Sequence, residues 1–513
     1  MRQTRPPRRF RLHADPGGLR ISPAGSWSLL AALTMLFVGC ATGPAEWVRN
    51  GFRVGPNYAR PPAPVSENWL DADEPHVLSQ ATDYSDWWAV FDDPVLDHLI
   101  GTAYEQNLPL KIAGMRVLEA RSRLGVASGN LFPQRQESMG GFANSKFSET
   151  SFPFGEIPLT KTVFDTWFLG YDAAWELDFW GRFRLGIESA EANLSAQIEN
   201  YDDALVILQA EVAATYVQVR TLEARIALAR KNVELQQHTY RIIRDRVDVG
   251  AGEELDLQQA RSTLVTTKSL VPTLQTNQRK AQNRLCILLG MPPHDLQTEL
   301  GGPGKVPSAP PEIAVGIPAE LLRRRPDVCR AEREAAAQCA QIGIAESELY
   351  PQISISGAAL VEAENFSRLF DVRSIAGFLG PNFRWNIFNY GRIRNNVDVQ
   401  DARFQQLVLQ YQETVLRAHE EVENGINAYL REQERIVLLK ESVEATARAL
   451  ELATLKYDQG LVDFQRVIDS QRLLVQQQDA LARTRGDVAL HLIAVFKALG
   501  GGWQIRGQHP PVE

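Results

Sequence analysis

The sequence predicts an α+β membrane protein built by internal duplication, with two long helical hairpins and two transmembrane β-hairpins per chain. Three observations carry this expectation. The phrase Asn130-Leu-Phe-Pro-Gln134 returns as Glu348-Leu-Tyr-Pro-Gln352, and a train of further matches follows each copy. Two proline-free stretches place apolar residues at helical spacing. Between phrase and rod, aromatic-rich segments alternate with period two, the signature of strands that cross a membrane.

The totals fit a folded chain. Of 513 residues, 44% are hydrophobic and 23% charged, which argues against disorder and against a collagen-like repeat. The formal charge of −8 becomes −13 once residues 1–39, with six arginines and one aspartate, are removed. So acidic a body is unsuited to nucleic acid, which needs a basic face. The four cysteines, Cys40, Cys286, Cys329 and Cys339, show neither a disulfide framework nor metal-ligand spacing.

Residues 1–39 form a signal peptide. A basic stretch precedes the apolar run Trp27–Val38, whose twelve residues are too few to span a bilayer core of ~30 Å. Phe37-Val38-Gly39-Cys40 resembles a bacterial lipobox, which makes Cys40 the lipidation site, and Ala41 in place of aspartate favours the outer membrane. An extended, lipidated segment follows over 40–94.

The first repeat covers 95–290 and the second 319–500. Trp180-Gly-Arg182 matches Tyr390-Gly-Arg392, Phe168-Leu-Gly170 matches Phe378-Leu-Gly380, and Leu289-Gly290 matches Leu499-Gly500, all offset by 210. The proline phrase is offset by 218, so the first copy holds eight extra residues between that phrase and the next match. A Pro/Gly-rich linker, 291–318, joins the halves, and 501–513 is a C-terminal tail. Gly301-Gly-Pro-Gly-Lys305 in the linker lacks the spacing of a phosphate loop.

Each repeat opens with one short helix, about 95–128 and 319–347. A β-hairpin follows, 131–179 and 351–389, and then a long helical hairpin, 187–289 and 397–499. The rods, about sixty residues at 1.5 Å each, reach ~90 Å. Gly250, Gly252 and Gly460 mark their turns, and Pro272 is expected to bend the first return helix. In the strands, Val163, Trp167, Leu169, Tyr171, Ala173, Trp175 and Leu177 share one face, and Asp172, Ala174 and Glu176 the other. In the second copy Leu379, Phe383, Trp385 and Ile387 oppose Asn382, Arg384 and Asn386. Four strands cannot close a barrel, and an open edge cannot sit in hydrocarbon. Two chains would give eight strands and a filled interior; three would give twelve and room for a lumen.

These residues resemble the TolC-like outer membrane efflux family, and more closely its lipidated OprM/NodT-type outer membrane factors. The likeness covers nearly everything after Cys40. It rests on VGPNYARP (Val54–Pro61), DWWAVFDDPVLDHLI (Asp86–Ile100), RRRPDVCRAE (Arg323–Glu332), QIGIAESELYPQISI (Gln341–Ile355) and FNYGRIR (Phe388–Arg394). The resemblance implies a homotrimer: a twelve-stranded barrel in the outer membrane continuous with an α-helical barrel across the periplasm. It implies a passive exit duct for drugs or other small toxic compounds. The partners it implies are a periplasmic adaptor protein and an inner-membrane pump of the resistance-nodulation-division type. By the same likeness Gly250, Gly252 and Gly460 are the periplasmic tips where the adaptor docks. Asp256, Asp469 and Tyr457 fall at the closing aperture. Val462 and Arg466 depart from one such member, which has an arginine and an inward acid at those places. A ring of carboxylates in a narrow lumen would attract cations and hold back bulky anions.

No catalytic or phosphate-binding motif and no clustered metal ligands occur, so neither enzyme activity nor a cofactor is expected. A lipid-anchored coiled-coil tether is the alternative outside transport; it leaves the alternating strands unexplained. A duct for metal ions or secreted proteins is the alternative within it.

Overall fold

The computed structural model describes residues 43–508 except 79, 81–82, 147 and 149–161; the signal segment and Cys40 lie outside them. The chain enters through α1 (Pro44–Arg49) and a largely irregular strap that ends in a 3₁₀ turn, Trp87–Phe91. The expected helix over 95–128 is two helices, α2 (Pro94–Gln106) and α3 (Leu108–Gly129). Pro109 has no N–H for a continuing helix, and Asn107 instead caps the new one by accepting from the Leu110 N–H at 2.9 Å. The same correction applies to 319–347. A 3₁₀ turn at Pro318–Glu320 and a four-residue helix at Leu321–Arg324 precede α6 (Pro326–Ser347), and Pro326 opens its first turn.

β1 (Arg135–Lys146) and β2 (Val163–Glu176) form the first hairpin, and α4 (Arg182–Asp248) and α5 (Glu254–Leu288) the first helical pair. β3 (Gln352–Ala363), β4 (Ile375–Arg384), α7 (Arg392–Asp458) and α8 (Phe464–Ala498) repeat them. Both long helices have 67 residues, both return helices 35, and every terminus is displaced by 210. At 1.5 Å per residue each rod is about 100 Å long. Pro272 lies inside α5 without ending it. The linker 291–318 is more structured than expected: its Ile313–Ala314 pairs in parallel with Val77–Leu78 of the strap.

The four strands make one antiparallel sheet in the order β1-β2-β3-β4, so β1 and β4 each pair on one side only. Ala173 opposes Gly357, which opposes Leu379; Trp175, Ile355 and Pro381 are likewise in line. The register therefore gathers Leu169, Tyr171, Trp175, Ile355, Leu379 and Phe383 on one face. Arg135, Asp172, Ser354, Ser356, Asn382 and Arg384 share the other. The alternation is not strict: Phe168, Leu360 and Phe378 fall on the polar face, and Asp165 on the apolar face accepts from Asn144 at 2.6 Å. The eight-residue excess falls in the β1–β2 connection, most of which lies outside the described residues.

The repeated proline phrase is where helix becomes strand, and a tryptophan fastens each copy. Trp175 Nε1 donates to the Leu131 carbonyl at 3.1 Å, and its counterpart Trp385 to the Leu349 carbonyl at 3.0 Å. β4 ends at Arg384, short of the expected 389, and Tyr390 then turns the chain with φ 51°. The main core lies where the strap, α2 and the linker pack on α4, α5, α7 and α8, around Leu205, Val212, Tyr411, Val422 and Leu492. Among the described residues no helix is long and apolar enough to cross a membrane.

Candidate aperture at the hairpin tips

The two long helices end alike. Gly250 and Gly460 adopt φ of 74° and 71°. In each, the next residue's N–H reaches back to the carbonyl five positions earlier, Ala251 to Arg246 and Leu461 to Lys456, at 2.8 and 2.9 Å. Glycine meets this left-handed stop without Cβ strain. Gly252 is more confined: a Cβ there would lie 3.1 Å from the Val247 side chain.

Just above the turns, the two hairpins meet in a small apolar cluster. Ile243 from α4, Ala260 from α5, and Phe464, Val467 and Ile468 from α8 are buried in it, with Tyr457 of α7 packed alongside. The Tyr457 ring lies 5.2 Å from that of Phe464. Asp256 of α5 lies close enough for its charge to act on the Tyr457 hydroxyl, so the structure brings these two residues together across the hairpins. Burial, with Glu253 and Asp463 adding repulsion, raises the pKa of Asp256, and the neighbouring Tyr457 works to lower it. Burial also raises the Tyr457 pKa, while Arg246 works to lower it.

Asp469 stands apart from this pair. It is exposed on the second turn of α8 and accepts from Gln465 Nε2 of its own helix at 2.8 Å. Arg246 is the residue that sequence reasoning missed. Its guanidinium lies 5.1 Å from the Tyr457 ring centroid, and Nη2 is 3.1 Å from Asp458 Oδ1. One cation on α4 thus holds both a ring and a carboxylate on α7. The partners are 211 and 212 residues away, so no local pattern could have revealed it.

The family model described as outer membrane efflux protein matches residues 99–291 and 317–501, one segment in each half. The chain belongs to the outer membrane efflux protein family. It is 30% identical over 437 residues to the pyoverdine export outer membrane protein OpmQ of Pseudomonas putida, covering 83% of this chain and 90% of that protein. It is 29% identical over 470 residues to the toluene efflux pump outer membrane protein TtgF from another strain of Pseudomonas putida, covering 90% and 96%. The solved outer-membrane channel OprN superposes with a TM-score of 0.82 at 32% identity, over 88% of this chain and 99% of its own. As an outer membrane efflux protein the chain is an exit duct of the Gram-negative outer membrane, in a family of channels rather than tethers.

Proposed function

We propose that three copies of the chain close one duct, twelve strands in the outer membrane over a barrel of twelve helices in the periplasm. The observation that carries this is the four-stranded sheet with two unpaired edges, β1 and β4, whose two hairpins each run into a 67-residue helix. Such edges cannot rest in hydrocarbon, and pairing β1 of one copy with β4 of the next satisfies both. Three copies leave a lumen, whereas two would fill it with side chains. Cys40 carries the lipid, in the inner leaflet.

The duct is passive and has no catalytic activity of its own. It receives drugs or other small toxic compounds from an inner-membrane pump of the resistance-nodulation-division type. A periplasmic adaptor docks on the tips at Gly250, Gly252 and Gly460. OpmQ and TtgF are named for cargoes as unlike as pyoverdine and toluene, which fits a pump that chooses and a duct that passes. At rest, Asp256 and Tyr457 help tie the tips, and Asp469 adds a carboxylate to the constriction.

Deletion of the gene should sensitise the cell to some of a panel of antibiotics, dyes, detergents and metals; loss of metal tolerance alone would favour the cation duct. In planar bilayers Asp469→Ala should raise single-channel conductance or weaken cation selectivity. Unchanged values for both would remove Asp469 from the aperture.

A further inference from the structure

We infer that α1 and the turn after it form a second membrane anchor, an aromatic foot that seats the periplasmic rim of the barrel in the inner leaflet independently of acylation. The inference rests on the reading that the sheet crosses the outer membrane.

Trp47 is the centre of the foot. Its ring lies 4.8 Å from Phe52, 5.1 Å from Phe179 and 5.5 Å from Trp180, and Trp180 in turn stacks on Tyr350 at 4.5 Å. Phe179 follows β2 by three residues, and Tyr350 precedes β3 by two. The foot is therefore joined to the strand ends, and polar bonds fix it there. Trp47 Nε1 donates to the Phe179 carbonyl at 3.3 Å and Trp180 Nε1 to that of Pro351 at 2.8 Å. Arg184 donates to the Gly51 and Phe52 carbonyls, both at 2.7 Å.

This bracing holds an unfavourable backbone. Phe52 has φ 62°, a conformation that a bulky side chain avoids unless its surroundings impose it. The strain does not bury the ring. Phe52 stays 52% exposed, Val48 55% and Phe179 43%. In water such a cluster is a liability, but at the headgroup level aromatic side chains are favoured. Two placements favour lipid as the covering. The foot continues from the ends of the strands that the proposed duct sets in the membrane, and Gly43 is only three residues in sequence from Cys40, the proposed site of lipidation.

The test uses the full lipidated chain carrying Cys329→Ser, with a nitroxide on Val48→Cys, in vesicles of phosphatidylethanolamine and phosphatidylglycerol. Leu379→Cys on the apolar sheet face and Leu70→Cys on the strap, 81% and 86% exposed, are the references. The Val48 label should meet oxygen severalfold more than an aqueous nickel chelate, as the Leu379 label does, with the Leu70 label reversed. Adding Trp47→Ser and Phe52→Ser should move the Val48 label toward the chelate although Cys40 is untouched. Phe52→Ser alone should move it the same way if the double variant fails to form heat-resistant trimers. A Val48 label that reads like Leu70 overturns the foot, as does one shielded from both reagents, which would mean a neighbouring copy covers it. No movement on removing the rings would credit the acyl chain alone and overturn it too. An aqueous Leu379 label would instead overturn the membrane sheet itself.

Discussion

Asn107 and Arg325 stand at the same place in the two halves, 218 residues apart, and each fastens a short helix to the end of a return helix. Asn107 Nδ2 donates to the carbonyl of Leu288, the last residue of α5, at 2.8 Å. Arg325 Nη1 donates to that of Ala498, the last residue of α8, at 2.9 Å. Beyond each carbonyl comes a left-handed glycine at close quarters. A Cβ on Gly290 would lie 2.5 Å from the Gln106 oxygen, and one on Gly500 3.0 Å from the Arg325 Cα. The chemistry differs all the same. Asn107 is neutral and caps α3 with its oxygen, whereas Arg325 is a buried cation held by Asp327 at 2.6 Å and Glu421 at 2.7 Å. Duplication has preserved a backbone requirement, a helix-end carbonyl that needs a donor, and left the donor free to change.

The largest test of that difference is truncation. Arg325→Ala leaves the largely buried Asp327 without its cation and the Ala498 carbonyl without its donor, and should cost about 3 kcal/mol. Asn107→Ala removes a cap and one bond and should cost about 1–2 kcal/mol. Thermal unfolding followed by circular dichroism in detergent would compare them, and equal losses would show that the charge adds nothing to the joint.

The next test separates backbone strain from crowding. Gly460→Ala at the open tip should cost only the left-handed conformation, roughly 1–2 kcal/mol. Gly290→Ala should cost more, because the new methyl also meets the Gln106 carbonyl. If the two variants melt together, the close approach at the joint is not rigid.

A further test is one of pH. Asp202 in the first half is buried, and its counterpart in the second is Gln412. Burial, with Glu199 adding repulsion and Arg506 opposing, raises its pKa to about 7. The folded protein thus holds a proton that the unfolded chain releases near pH ~4. The stability this gives is complete below that value and declines as pH rises toward 7. Asp202→Asn should flatten the slope between those limits. A slope that persists in the variant would assign it to another group.

The sequence made the duplication, the rods and the strand faces legible because each rests on period or repetition within a short window. The turn glycines were legible as well, since a left-handed stop leaves few choices. The breaks at Asn107 and Arg325 carried a signal too, Pro109 and Pro326, that the helical pattern around them masked. Arg246 at the tip, the strap strand Val77–Leu78 on Ile313–Ala314, and Trp47 against Phe179 could not be read. Each joins segments more than a hundred residues apart whose own patterns demand nothing of the other.

The matched helix lengths also constrain how this chain can change in size. The tip cluster draws residues from all four long helices, so both hairpins must arrive there at the same level and facing the same way. One residue deleted from α4 alone would retract its end by ~1.5 Å and swing it by ~100°, turning Ile243 out of the cluster. Reach across the periplasm is therefore a stepped quantity. It can lengthen or shorten only by edits made in both halves at once, and most readily by near-whole turns, so that the length of the rods is written twice in one gene.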